Sequence, residues 1–132
     1  MLETLLLARE VYSSENNDFL INKKQLHALI KSHEIVFLGL DLSQNSNVIF
    51  NKLQSYLLDT KHTYKIAHSI ENQPVEYLLG RMEDQEELNF DSFTYIGKDK
   101  TLVNSAKSEG LNSISFGIDI NCFSELIKYL EK

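Results

Sequence analysis

Apolar residues in this chain are grouped into short runs separated by polar stretches. Four runs are rich in β-forming residues and too short for core helices, and they span residues 34–42 (EIVFLGLDL), 64–70 (YKIAHSI), 92–97 (SFTYIG) and 112–118 (NSISFGI). Runs of this kind predict strands that are buried on both faces, as in parallel sheets. The first run contains one glycine, Gly39, which we place inside the strand.

The segments between these runs carry apolar residues at helical spacing. Asn22 and Gln25 form a capping-box pattern that starts a helix before the first predicted strand. Pro74 takes a first-turn position of a later helix, and Gly110 provides a left-handed stop for the next one. The apolar positions that define the helices after the first strand are Val48, Ile49, Leu53, Tyr56 and Leu57; Val75, Leu78, Leu79 and Met82; Leu102, Val103 and Ala106; and, from about Asn121 onward, Phe123, Leu126, Ile127 and Leu130.

The amino-terminal residues 2–12 place Leu2, Leu5, Leu6 and Val11 close to one helical face, which predicts an amphipathic helix. We therefore interpret residues 1–32 as a helical segment that precedes the first core strand. At 132 residues the chain is long enough for one domain with a core and too short for two ordinary ones. The whole of 1–132 is predicted to form a single domain.

Strand and helix alternate along the chain, and this alternation predicts an α/β fold. Right-handed crossovers would place helices on both faces of a mainly parallel, Rossmannoid sheet, giving a three-layer sandwich. In such folds ligands bind at the carboxyl ends of the strands. The positions to inspect there are Gly39, Asp41, Ser43, His68, Ser69, Lys98, Asp99, Gly117 and Asp119. No glycine fingerprint of a dinucleotide or P-loop site follows any predicted strand.

Composition and charge exclude several classes of protein. The formal net charge of −6 argues against nucleic acid and against anionic membrane surfaces as partners. The apolar runs are far shorter than a membrane span, and the start of the sequence lacks the pattern of a signal peptide. Because the single Cys122 cannot form an internal disulfide, we expect a cytoplasmic protein.

The segment YIGKDKTLVNSAKSEGLNSISFG (95–117) resembles the last conserved stretch of the haloacid-dehalogenase-like (HAD) phosphohydrolases. The matching residues are Tyr95-Ile96-Gly97, Ser105-Ala106-Lys107, Gly110 and Asn112 to Phe116. Upstream, IVFLGLDLS is similar to the family's opening motif, an apolar strand ending in Asp-x-Asp-Gly-Thr. Between them, YKIAHSIENQPVEYLLGRM is similar to the second motif, in which a strand ends in Ser or Thr and a helix follows.

The resemblance implies a site that has lost most of its catalytic groups. The family's nucleophilic carboxylate corresponds to Gly39, whereas its acid/base carboxylate is kept as Asp41 and its threonine becomes Ser43. The serine or threonine of the second motif, whose hydroxyl holds the phosphate, corresponds to Ser69. If the register shifts by one residue, that position is His68. The family's lysine motif has no room, since only one helix separates the second and third predicted strands.

The metal-binding acids of the last motif correspond to Lys98 and Leu102, neither of which binds a hard cation, and Asp99 lies next to the first of them. An ammonium group at Lys98 can replace the metal by pairing with Asp41. We therefore expect no metal or other cofactor, and candidate ligand-binding residues Asp41, Ser69, Lys98 and Asp99.

Two functions follow from the resemblance. The first is a catalytically impaired HAD-like domain that binds a protein partner or a small phosphorylated ligand as a regulatory or interaction module. The alternative is a divergent phosphohydrolase that uses Asp41 and Asp99 with Mg²⁺ on a small phosphorylated substrate, with Ser43 and Ser69 as remnant catalytic candidates. A response-regulator receiver shares the alternating pattern but needs an acid pair after the first strand, where LDLS supplies one acid.

Overall fold

The computed structural model of the chain describes residues 3–16, 18–40, 47–58, 65–82 and 89–131. The strands are β1 (Glu3–Leu7), β2 (His33–Leu38), β3 (Ile66–Ser69), β4 (Phe93–Gly97) and β5 (Asn112–Ser115). The helices are α1 (Arg9–Tyr12), α2 (Lys23–Ile30), α3 (Asn47–Leu57), α4 (Pro74–Met82), α5 (Lys100–Ser108) and α6 (Phe123–Leu130), with a short 3-10 helix at Phe90–Ser92. The predicted α/β fold is confirmed.

The five strands form one parallel sheet in the order β3-β2-β1-β4-β5. The chain moves from β1 to β2 and β3 in one direction across the sheet, and then to β4 and β5 in the other. Because crossovers between parallel strands are right-handed, this order places α2 and α3 on one face and α4 and α5 on the other. In agreement with this arrangement, α2 packs against α6 and α4 packs against α5. The core lies on both faces of the three central strands.

The prediction of a helix over residues 2–12 is wrong for most of its length, because Glu3–Leu7 form the central strand β1. Leu5, Leu6 and Leu7 are all fully buried, since one strand in the middle of a parallel sheet is covered on both faces. Only Arg9–Tyr12 is helical within the described part of this segment. The first core strand therefore lies inside residues 1–32, and the interpretation of this region as wholly helical is corrected.

The other predicted strands and helices are confirmed, although β2 and β5 end before their apolar runs do. Asn22 accepts a hydrogen bond from the Gln25 amide at 2.8 Å, and Gln25 Oε1 accepts one from the Asn22 amide at 3.1 Å, which completes the capping box. Gly110 follows α5 with a φ of 98°, as expected for a left-handed stop. Gly39 lies in a turn after β2 with a φ of 73°, so its predicted place inside the strand is wrong.

The carboxyl end of α2 is closed by the side chain of Lys65, the residue that directly precedes β3. The buried Lys65 ammonium donates to the carbonyl oxygens of Ile30 at 3.0 Å and Lys31 at 3.5 Å. Cations placed at this end of a helix satisfy carbonyl groups that lack intrahelical partners. The contact ties α2 to the start of β3. Across the described ranges, every helix falls short of the length and apolarity that a bilayer span requires.

Candidate functional site

The crevice of this sheet lies at the carboxyl ends of β1 and β4. The chain builds β2 and β3 on one side of β1 and then returns to build β4 and β5 on the other side. The loops after β1 and β4 therefore leave toward opposite faces, which is the arrangement that opens a ligand crevice in parallel α/β folds. The residues placed there are Ala8, Arg9 and Glu10 after β1, and Lys98 and Asp99 after β4.

A carboxylate bridges the β1 and β4 ends of the crevice. Glu10 Oε1 accepts a hydrogen bond from the Lys98 backbone amide at 3.4 Å. Below it, the Ala8 amide donates to the Ile96 carbonyl oxygen at 3.0 Å, extending the pairing of the two strands by one residue. The Glu10 carboxylate is therefore held over the mouth of the sheet.

On the other side of β1, Arg9 connects the ends of β1 and β2. Its Nη1 donates to the Gly39 carbonyl oxygen at 2.8 Å, and its backbone amide donates to Asn72 Oδ1 at 3.3 Å. Asn72 belongs to the loop between β3 and α4, which is joined to β2 by a hydrogen bond from the Gly39 amide to the Glu71 carbonyl oxygen at 3.1 Å. These contacts bring the ends of β1, β2 and β3 together.

A buried phenol lies beneath the β4 side of the crevice. Tyr95 is fully buried, and its hydroxyl has no hydrogen-bond partner within the described residues. Burial raises the Tyr95 pKa above its ordinary value, and the nearby carboxylates of Glu10 and Asp99 raise it further. The hydroxyl packs against Gly97, where a Cβ atom would lie only 2.6 Å from it. Tyr95 therefore stays neutral and requires glycine at the end of β4.

The structure places Lys98 and Asp99 at the crevice, where the sequence predicted them. The exposed Lys98 ammonium lies 5.5 Å from the centre of the Phe116 ring, on the β5 side of β4. Asp99 caps α5, since its Oδ1 accepts hydrogen bonds from the amides of Thr101 at 2.9 Å and Leu102 at 3.4 Å. Asp41 and Ser43 lie outside the described residues, so the predicted pairing of Lys98 with Asp41 stays a prediction.

Ser69 and His68 end β3 at the edge of the sheet. Ser69 Oγ accepts a hydrogen bond from the Glu71 amide at 3.1 Å, and the Ser69 carbonyl oxygen accepts one from the Leu40 amide at 2.8 Å. The exposed His68 ring meets the Phe50 ring edge-on at 5.8 Å, on the face covered by α3. Ser69 therefore shapes the loop that carries Asn72, and the His68 ring contacts α3.

The last two predicted positions belong to the turn after β5. Gly117 has a φ of 105°, and Asp119 Oδ2 accepts a hydrogen bond from the Ser115 amide at 2.8 Å. Among the described residues, no group of three His, Cys, Asp or Glu side chains is placed to hold a metal ion. The carboxylates of Glu10, Asp99 and Asp119 each accept a hydrogen bond from a backbone amide.

Sequence reasoning missed three residues that the structure brings to the crevice, namely Arg9, Glu10 and Asn72. Arg9 and Glu10 were missed because the run before them was assigned to a helix. The signal that could have found them is the change from an uninterrupted apolar run, LLLA, to an adjacent charged pair. Asn72 gave no local signal, because its contact with Arg9 joins residues 63 positions apart.

Comparison with protein-family models finds no match, and comparison with curated proteins finds none either.

Proposed function

We propose that this chain is a non-catalytic HAD-like domain that works by binding a protein partner or a small phosphorylated ligand at the carboxyl edge of its sheet. The support comes from the resemblance of residues 95–117 to the last HAD motif, which begins on β4, next to the central strand. The strands carrying the three similar segments all end at the same edge of the sheet.

The observation that carries this proposal is the missing nucleophile at the ends of both candidate strands. The resemblance aligns the opening motif with β2, whose nucleophile position is Gly39. Because β1 is the first strand in the chain, it is a second candidate for that motif, and its apolar run ends in Ala8-Arg9-Glu10 in place of Asp-x-Asp. Neither glycine nor alanine can attack a phosphoryl group, so both alignments lead to a site without covalent catalysis.

The positions of the last motif that would bind a metal ion also favour a non-catalytic domain. The positions of the last motif that would carry acids hold Lys98, whose ammonium lies over Phe116, and Leu102. The alternative of a phosphohydrolase that uses Asp99 is disfavoured, because the Asp99 carboxylate caps α5 through two backbone amides. Phosphoryl transfer needs cations that neutralise charge developing on the phosphoryl oxygens.

Binding of a ligand does not require a nucleophile or a metal ion. Arg9 and Lys98 place a guanidinium and an ammonium at the carboxyl edge of a protein whose formal net charge is −6. Cationic side chains of this kind bind phosphate and carboxylate oxygens through charge-assisted hydrogen bonds. A small phosphorylated ligand is therefore the simplest partner for the crevice, and a protein carrying an acidic side chain offers similar chemistry.

The test combines hydrolysis and binding measurements on the full chain. We expect no Mg²⁺-dependent release of phosphate from an aryl phosphate, and no heat of Mg²⁺ binding in calorimetry. We also expect addition of phenyl phosphonate, a non-hydrolysable probe, to shift the NMR amide signals of Arg9 and Lys98. Mg²⁺-dependent hydrolysis that is lost in Asp41→Asn would refute the proposal in favour of the phosphohydrolase.

A further inference from the structure

Strand β3 forms one edge of the sheet and is open to solvent. It pairs with β2, and within the described residues no strand lies on its other side. Ala67 and His68 are exposed, and Ile66 is half-buried. At the opposite edge of the sheet, by contrast, the last two residues of β5 are buried. The β3 edge is therefore the less covered of the two.

The hydrogen bonds of β3 show which of its backbone groups face outward. The carbonyl oxygens of Ser69 and Glu71 accept hydrogen bonds from the amides of Leu40 and Gly39, at 2.8 and 3.1 Å, on the β2 side. Because the backbone groups of successive strand residues point to alternate sides, those of Ile66 point away from β2, and so do those of the residue two positions later. Such an edge presents unpaired amides and carbonyl oxygens to an incoming strand.

An apolar groove of about 520 Å³ lies between this edge and α3, and its lining includes Phe50, Leu53, Leu57, Leu58, Ile66 and His68. The Phe50 and His68 rings meet at 5.8 Å, toward the carboxyl end of β3. Because α3 connects two parallel strands, it runs opposite to β3. Leu57 and Leu58, at the end of α3, therefore lie beside Ile66 at the amino end of β3.

The side chains around the edge favour apolar contact. Natural edge strands are often protected by charged side chains, lysine above all. The lysine next to β3, Lys65, is buried, and its ammonium donates to the Ile30 carbonyl oxygen at 3.0 Å. Among the described residues, the two most exposed large apolar side chains are Leu58, at 80%, and Ile70, at 73%. One end of the edge thus carries the protruding Ile70, and the other carries the groove.

We propose that a second copy of this chain docks on this edge by antiparallel pairing of the two β3 strands about a twofold axis. The axis reverses the partner strand, so the partner's Ile70 lies against Leu58 and Ile66 of the first copy. The same contact forms at the other end of the interface. The outward backbone groups of Ile66 and His68 hydrogen-bond across the axis, and the two five-stranded sheets become continuous.

Self-complementarity is the reason for choosing a second copy as the occupant. One patch carries both the protruding Ile70 and the groove that receives it, and a twofold axis brings each into contact with the other on both copies. A stable dimer buries about 800 Å² on each partner, and an edge of four strand residues with one groove provides less. The dimer is therefore transient and forms as the protein concentration rises.

Two further properties follow from this geometry. Each copy has a formal net charge of −6, so salt that screens the repulsion between copies should strengthen the dimer. The β3 edge lies two strands away from β1, where the crevice opens. The dimer thus goes beyond the proposed function and does not depend on it.

The experiment is sedimentation velocity of the full chain over a range of concentrations and at two ionic strengths. The mean sedimentation coefficient should rise with concentration, and more steeply at the higher ionic strength. Ile70→Lys buries an unpaired ammonium in each groove and should raise the dissociation constant at least about tenfold. Ile118→Lys is the matched control, because Ile118 is 63% exposed and follows β5 at the opposite edge. This control should associate as the wild type does.

Hydrogen exchange followed by NMR tests the strand pairing itself. The amides of Ile66 and His68 should exchange more slowly at high protein concentration, and this dependence should be lost in Ile70→Lys. If Ile70→Lys does not fold, Leu58→Ser weakens the same contact. The proposal would be overturned by a monomer at every concentration, by association that these variants leave unchanged or that Ile118→Lys weakens equally, or by exchange at the two amides that does not depend on concentration.

Discussion

Two buried tyrosines allow the same chemical change to be made in opposite hydrogen-bonding environments. Tyr12 and Tyr95 are both fully buried. Tyr12 donates its hydroxyl proton to the Leu38 carbonyl oxygen at 2.6 Å, whereas the Tyr95 hydroxyl has no partner within the described residues. Tyr→Phe removes one oxygen atom in each case and leaves the ring. We therefore expect Tyr12→Phe to lower the free energy of unfolding, and Tyr95→Phe to leave it unchanged or raise it.

The size of each change in the free energy of unfolding follows from the hydrogen bonding of the two hydroxyl groups. Tyr12→Phe removes a hydrogen bond whose net contribution is about 0.5–1.5 kcal/mol, so the variant should be less stable by roughly that amount. Tyr95→Phe removes a buried hydroxyl that has no hydrogen-bond partner among the described residues; leaving such a group unsatisfied costs about 1–3 kcal/mol, so the variant should be neutral to more stable. The two variants should differ by about 2 kcal/mol.

The assay is urea unfolding of the wild type and both variants, followed by circular dichroism at one pH. The midpoint should fall for Tyr12→Phe and stay or rise for Tyr95→Phe, with the same dependence on urea concentration in all three proteins. Equal destabilisation by both substitutions would refute the reasoning. It would mean that the Tyr95 hydroxyl has a partner in solution, such as a water molecule or the Glu10 carboxylate.

Three further predictions concern stability. Burial lowers the pKa of His33 below its ordinary value of 6.5, so the unfolded chain binds the proton more readily than the folded one. The free energy of unfolding, measured by urea titration, should therefore fall as the pH drops below about 6.5. In His33→Gln this fall should be smaller. Gly39→Ala should lower the thermal midpoint, since the added Cβ would lie 2.8 Å from Asn72 Oδ1 and the backbone φ is 73°. Gly80→Ala, in open space within α4, should raise the free energy of unfolding by about 0.5–1 kcal/mol. A higher thermal midpoint for Gly39→Ala than for Gly80→Ala would contradict both expectations. Asn22→Ala should cost about 0.5–2 kcal/mol in urea unfolding because it removes the cap of α2, and an unchanged midpoint would show that the capping box adds nothing.

Much of the fold could be predicted because its signals are local. The capping box at Asn22, the first-turn Pro74 and the left-handed stop at Gly110 each depend on a few neighbouring residues, and the structure has helix boundaries at all three. The apolar runs that became β2, β4 and β5 were recognised because their residues are β-formers bounded by polar segments. Asp99 was likewise identified from its place after a strand, although its hydrogen bonds show a helix cap.

The central strand could not be predicted in this way. Leu5, Leu6 and Leu7 are good helix formers, and a strand buried on both faces shows no alternation that would distinguish it from a buried helix. The strand exists because β2 and β4 hydrogen-bond to its two edges, through residues about 30 and 90 positions away. Because this segment was assigned to a helix, Arg9 and Glu10 were not recognised as residues at the end of a strand. The sheet order places them directly after the central strand.

Residue types and nearest neighbours were enough to predict the class of the fold, several helix boundaries and the position of Lys98 after a strand, because each of these depends on local sequence. The identity of the central strand and the set of side chains that meet at the crevice depend on contacts between distant parts of the chain. The contacts of Arg9 with Gly39 and Asn72, and of Glu10 with Lys98, join residues 30 to 88 positions apart. Such contacts form when strand pairing closes long loops, so no local pattern contains them.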